Sequence, residues 1–188
     1  WRRLVGGYTL LDVAQKVVGV GSVGLRAYVA LLEGSSPKDV IFLQLKQARR
    51  SVLARYVHGE SPLHAHQGQR VVEYQQCLQT VSDPLLGWTT VDGRQFYVRQ
   101  LRNMKGRIPL DELDAKMLTG YASVVGQLLA KGHARTSGAS MIAGYLGHSG
   151  RVSEALAGFA RRYADQTEAD HAGLISAVER GALPVEYE

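Results

Sequence analysis

Three glycines in a Gly-x-Gly-x-x-Gly run, Gly19, Gly21 and Gly24, separate two apolar stretches, and the residues after them constrain the fold most. Glycine has no Cβ, so such a run bends tightly and lets backbone approach a ligand closely. In dinucleotide-binding folds the same spacing opens a helix whose N-terminus holds a pyrophosphate. Here the following residues alternate instead, with Leu25, Ala27, Val29 and Leu31 on one side and Arg26, Tyr28 and Ala30 on the other. A period of two belongs to a strand, so the run reads as strand, turn, strand. By itself this is also the pattern of an ordinary structural hairpin.

The rest of the first half continues in the same way. Strands are expected over Tyr8 to Val18, Leu25 to Leu32 and Val40 to Gln47, and a short helical turn over Ser51 to Tyr56. The polar stretch from His58 to His66, broken by Gly59 and Pro62, reads as a loop. Gln67 to Thr80 carries Val71, Val72 and Leu78 at helical spacing without a breaker. Leu86 to Thr90 and Gln95 to Leu101 flank Asp92-Gly93, the strongest short hairpin signal. The second half is helical. One helix is expected from Pro109, with Asp111, Glu112 and Asp114 near its positive end, to about His133. Arg135 to Gly138 breaks it, and Ser153 is the expected cap of a long helix that Gly181 and Pro184 close. The expected fold is therefore α+β: residues 1–106 form an antiparallel sheet of about five strands with one packed helix, and residues 107–188 form a helical subdomain.

Composition narrows the function classes. The chain is 45% hydrophobic over 188 residues, enough for a core, and no apolar run reaches the roughly 18 residues of a membrane span. A lone Cys77 excludes a disulfide framework and points to a reducing, cytoplasmic setting. The opening Trp1-Arg2-Arg3 runs straight into strand-like sequence, as expected for part of a longer protein. The net charge is +5, but the basic residues are scattered, and their clusters are pairs such as Arg49-Arg50 and Arg161-Arg162. Nucleic-acid binders concentrate charge in a stripe with interleaved aromatics. A solvated basic surface or an anionic small-molecule ligand explains the excess as well, and no nucleic acid is expected.

Lys46 ends the third strand, and Glu73 lies in the middle of the helix that follows. In kinase-like sites a glycine-rich loop covers the ATP phosphates, a strand lysine contacts them, and a helix glutamate holds the lysine. Such an arrangement keeps a cation in place where phosphate charge must be stabilised. The candidate binding residues are thus Gly19, Gly21, Ser22, Gly24, Lys46 and Glu73, with Ser22 as a hydroxyl donor. The alternative is a solvated lysine at a strand end and a glutamate facing water. His133-Ala-Arg135 lacks an aspartate to accept a proton, so His133 reads as a helix-end residue beside the negative dipole. His58, His64 and His66 are too irregularly spaced for a tetrahedral zinc site. Asp165, Glu168 and Asp170 read as a solvated helix face, and Ser22 has no base to make it a nucleophile.

Six stretches together resemble one bacterial family. They are Val17-Val-Gly-Val-Gly-Ser-Val-Gly24, Phe42-Leu-Gln-Leu-Lys-Gln-Ala-Arg49, Gln67-Gly-Gln-Arg-Val-Val-Glu73, Phe96-Tyr-Val-Arg-Gln-Leu-Arg-Asn-Met-Lys-Gly106, Gly132-His-Ala-Arg135 and Tyr163-Ala-Asp-Gln-Thr-Glu168. The family is the domain of unknown function DUF2252, and the resemblance covers nearly the whole chain. It implies a distant likeness to aminoglycoside-phosphotransferase and protein-kinase folds. Longer members, so the resemblance implies, carry an upstream Gly-Asp-x-His-x-x-Asn segment and an Asn-Asp-Phe-Asp segment that look like catalytic and metal-binding loops. Neither motif occurs in this sequence. The resemblance thus implies a nucleotide-covering lobe that takes ATP with Mg but has no catalytic residue or metal ligand of its own. Two positions depart from the kinase pattern. Leu25-Arg26 follows Gly24 where a valine would pack on adenine, and Gln44 stands where an alanine would. Arg26 and Gln44 are expected on the same face as Lys46. They leave open a binding or scaffold module with a degenerate kinase-like fold.

Overall fold

A computed structural model describes residues 6–16, 19, 23–57, 64–101, 106, 108–136 and 138–184. Its five strands are β1 (Thr9–Gln15), β2 (Ala27–Glu33), β3 (Val40–Gln47), β4 (Gly87–Val91) and β5 (Arg94–Gln100). They form one antiparallel sheet in the order β1-β2-β3-β5-β4. The helices are α1 (Ala54–Val57), α2 (Gln67–Leu78), α3 (Ala115–Ala134), α4 (Ala139–Leu146) and α5 (Arg151–Glu179). The α+β expectation holds, and β3 occupies the residues expected for it, Val40 to Gln47.

Residues directly opposite in a ladder point to the same face, so the register separates the two sides of the sheet. Ala30 pairs with Leu43, Leu32 with Ile41, and Leu45 with Val98. These residues belong to the apolar core, where Ala30, Leu32, Leu43 and Val98 are all buried. The opposite face carries Gln44 and Lys46 on β3, paired with Arg99 and Tyr97 on β5. Arg26 corrects an expectation. Its carbonyl accepts from the Gln47 N–H, which places it opposite Gln47 and, by alternation, on the other face from Gln44 and Lys46.

The turns explain the register. Asp92 and Gly93 have φ of 48° and 71°, the double positive φ of a type I′ hairpin turn, so the Asp-Gly signal is met as expected. At the β2–β3 hairpin Asp39 accepts from the Ser35 N–H and the Tyr8 hydroxyl. These donors hold its carboxyl below the usual range. A Cβ on Gly34 would run into the Asp39 carboxylate, so a side chain there would have to displace the group that holds this turn. Leu11 is the extra residue of a bulge in β1, where the register slips between Leu10 and Asp12.

Helix α2 lies on the polar face. His66 precedes it in extended backbone, and its Nδ1 accepts from the Gln69 N–H at 3.2 Å. Its Nε2 therefore carries the proton and donates to Thr90 Oγ1 at 3.1 Å. Gln95 fastens the helix to β5: its Oε1 accepts from the Gln67 N–H at 2.7 Å, and its Nε2 donates to the Ala65 carbonyl. The approach is close because residue 68 is glycine. A Cβ there would sit 2.3 Å from the Phe96 carbonyl oxygen.

Two compact units divide the chain, residues 1–137 and 138–188. In the first, α3 begins later than the acidic run suggests. Leu110–Glu112 form a 3-10 turn, and Asp114 caps α3 by accepting from the Met117 N–H at 2.7 Å. Proline at 109 and acids at 111 and 112 satisfy a helix start, but the side chain that reaches an orphan N–H belongs to Asp114. Arg135 then donates to the Cys77 carbonyl at 2.8 Å and joins the end of α3 to the last turn of α2. In the second unit, α4 was not expected. Gly138, Gly147 and Gly150 take positive φ around it. The cap of α5 is Gly150 in left-handed backbone, not Ser153, which falls inside the helix. Among the described residues no helix is long and apolar enough to cross a membrane.

Two glycine substitutions test this packing. Gly68→Ala pushes a Cβ into backbone and should cost about 2–3 kcal/mol of stability. At Gly132, inside α3, a Cβ would meet its nearest atom at 3.6 Å, ordinary contact. Gly132→Ala should be neutral or stabilising by up to about 1 kcal/mol through helix propensity. Urea denaturation of both variants checks the contrast.

Candidate functional site

Lys46 is the last cation before β3 ends, and its position is set by pairing with Ala27 on one side and Tyr97 on the other. Ala27 is buried and Lys46 half-buried, so the lysine leaves the sheet from a sheltered position. Burial pushes the Tyr97 hydroxyl up, against the opposing pull of the Arg99 charge. The face that Lys46 shares with Gln44, Tyr97 and Arg99 is the one α2 covers. Glu73 stands in the middle of that helix.

The Glu73 carboxylate is tightly held. Gln69 donates to Oε1 and His64 Nε2 donates to Oε2, each at 2.6 Å. The Gln69 amide first, then His64, keep the carboxyl below its ordinary value of 4.5. The second ring nitrogen of His64, Nδ1, is buried and has no hydrogen-bond partner among the described residues. Among the described residues, the ion pair made by Glu73 is with His64. The structure thus brings Lys46 and Glu73 to the same side of the sheet and gives the glutamate a histidine and a glutamine as contacts.

Of the glycine run, Gly19 and Gly24 fall within the described residues, while Gly21 and Ser22 lie outside them. Gly24 has φ of 77°, a conformation that favours glycine, and no atom lies within 4 Å of where its Cβ would be. Among the described residues nothing lies within 4 Å of a Cβ built on Gly19 either. The Gly24 carbonyl accepts from Arg49 Nη2 at 3.4 Å, which ties the turn to the end of β3.

Further along the polar face lies a cleft of about 310 Å³, lined by Gln44, Gln75, Gln79, Asp83 and Arg99 among others. Gln44 is only 4% exposed, and its Oε1 accepts from both Nε and Nη2 of Arg99, at 3.1 and 3.0 Å. Asp83 is occupied by backbone, accepting from the N–H groups of Gln100 and Leu85. Among the described residues no three His, Cys, Asp or Glu side chains converge as metal ligands would. His133 Nδ1 donates to the Leu129 carbonyl at 2.8 Å, in keeping with a helix-end role.

A family model for an uncharacterised protein conserved in bacteria, DUF2252, matches residues 1–177. The chain belongs to this family. No curated protein and no solved structure matches it.

Within this DUF2252 chain, three features escape a reading of the sequence. His64 sits in a polar loop and gives no local sign that it meets Glu73. His66 could have been found, because it stands three residues before Gln69 at the start of an apolar-periodic run, the spacing of a capping residue. Gln44 and Arg99 are 55 residues apart. Only the strand register brings them together.

The hydrogen bonds of Glu73 carry a pH signature. Its carboxyl is lowered in the folded chain, so it stabilises the fold above the unfolded value near 4.5, and that contribution disappears as pH falls through the folded value. Glu73→Gln should be less stable than wild type at pH 7, and the two should converge as the pH drops below 4.5. Urea midpoints measured from pH 7 to pH 3 check this; a constant difference across the range contradicts it.

Proposed function

We propose that this chain is the phosphate-binding half of a kinase-like phosphotransferase of cytoplasmic setting, taking ATP with Mg or another phosphate-bearing small molecule. The observation that carries the reading is Lys46 on β3, on the sheet face covered by the helix that bears Glu73, beside a glycine turn between β1 and β2. A phosphate chain fits this setting. Glycine backbone leaves room for close approach, and a lysine and several arginines stand at the same end of the sheet. Lys46 would contact phosphate oxygens as a point charge. Glu73, held by His64 and Gln69, would supply the negative partner from α2. Magnesium bound with the phosphates would add its own charge to them, and among the described residues no three His, Cys, Asp or Glu side chains converge to hold it.

A binding or scaffold module is the second reading, favoured by one observation. The Gln44 and Arg99 pair fills the sheet face next to Lys46. In the kinase pattern that place holds an alanine beside the base. On this reading phosphate contacts persist and the adenine contributes nothing.

Calorimetry with Mg-ATP, paired with a phosphate-release assay, tests the proposal. The chain should bind Mg-ATP, Lys46→Met should weaken binding by about tenfold or more as a charge-assisted contact is lost, and phosphate release should stay at the blank rate. Substantial hydrolysis by the chain, or unchanged affinity in Lys46→Met, contradicts the reading.

A further inference from the structure

The basic residues that are scattered in the sequence gather in the fold. Lys16 follows β1, and its N–H bonds the Ala27 carbonyl; Arg26 precedes β2 opposite Gln47. Lys46 closes β3, Arg49 and Arg50 follow it, and Arg94 opens β5 next to Gln95, whose carbonyl accepts from the Ala48 N–H. Arg70, in the first turn of α2, donates through Nη2 to the Arg49 carbonyl at 3.0 Å and through Nε to Gln67 Oε1 at 2.8 Å. Seven cations therefore stand at one end of the sheet and its helix. Among the described residues of the sheet and α2, that end holds two acids, Asp92 in the β4–β5 turn and Glu73. The local excess equals the formal net charge of the entire chain, +5.

Like charges held together repel, and concentrating them on one edge raises the local potential that attracts an anion. The hydrogen bonds make the cluster specific. Arg49 reaches across to the carbonyl of Gly24, and Arg70 reaches to the backbone of Arg49. A continuous line thus runs from the glycine turn through Arg49 to α2. An arginine fork held in this way presents its remaining donors in fixed directions, which suits phosphate oxygens better than a mobile lysine does.

We infer that Arg49 and Arg70, supported by Lys16 on the Lys46 face, form an anion site for a polyphosphate chain of a small molecule. The site extends the Lys46 contact from the sheet to the helix. This rests on the phosphate-binding reading of the glycine turn, and names the residues that hold the distal phosphates. The ligand class is a compact polyanion of three or more charges. A single phosphate monoester would use only part of the set.

Inorganic tripolyphosphate without magnesium is the probe, because it reads the cations without adenine. Titration calorimetry on the whole chain should show binding that weakens as salt rises. Arg49→Gln and Arg70→Gln should each weaken it by about tenfold. Lys38→Gln removes the same charge at the Ser36–Asp39 turn, the opposite end of the sheet, and should stay within about twofold of wild type, since that far only screened charge remains. Should Arg49→Gln or Arg70→Gln fail to fold, Lys16→Gln carries the test, since Lys16 lies opposite Ala27 on the Lys46 face. Its side chain makes no hydrogen bond among the described residues, and its loss should weaken binding while Tm holds. Absence of tripolyphosphate binding, or equal losses in Lys38→Gln and the arginine variants, overturns the inference. So does a single-stranded oligonucleotide that displaces tripolyphosphate at lower phosphate concentration than ATP does. If Mg-ATP binding depends on Lys46 and ignores Arg49 and Arg70, the inference fails and the function reading stands. If the arginines control tripolyphosphate binding but ATP does not bind, the anion site stands and the nucleotide reading fails.

Discussion

The close seating of α2 on β5 is the contact from which the rest of the site follows. Gly68 lets the helix approach the Phe96 carbonyl, and Gln95 fastens the first turn of the helix to the strand. Once the helix is seated there, Glu73 stands over the same face as Lys46, and Arg70 meets the backbone after β3. A Cβ at position 68 would lift all of these groups together. No single side chain places the candidate site; one missing side chain does.

The sheet divides its two faces between stability and chemistry. One face packs Ala30, Leu32, Leu43 and Val98 into the core. The other buries Gln44 and carries Lys46, Tyr97 and Arg99. Burying a polar group without a partner costs several kcal/mol, and the buried Gln44 has Arg99; the half-buried carboxylates of Asp83 and Glu73 are held by backbone N–H groups and by Gln69 with His64. A polar sheet face of this kind is ordered by hydrogen bonds, and Gln44, Asp83 and Arg99 line the cleft.

Local pattern made the sheet legible. The alternation from Leu25 to Leu31 and the Asp92-Gly93 turn each set a short-range geometry that tertiary packing did not override. Helix boundaries were less so, because Asp114 outcompeted an equally plausible start at Pro109, and left-handed Gly150 displaced Ser153 as the cap of α5. Lys46 and Glu73 were visible as a spacing along the chain, and the register brought both to one side of the sheet. The Glu73 contacts with His64 and Gln69, the Gln44 pair with Arg99 and the gathering of cations were not visible. The last two depend on strand order, and the placement of Arg26 shows why: one residue of parity moves a side chain to the opposite face. Charges that look scattered in sequence can share one edge of a sheet, since an antiparallel meander returns to that edge every second turn.

Paramagnetic broadening by Mn-ATP in the amide NMR spectrum of the labelled chain tests the central claim most directly, that the glycine-turn end of the polar face binds phosphate. The account predicts loss of signal first at Gly19, Gly24, Lys46, Arg49 and Arg70, with the Ser35 to Asp39 turn unaffected. Broadening centred on that opposite turn, or spread evenly over the sheet, would contradict it.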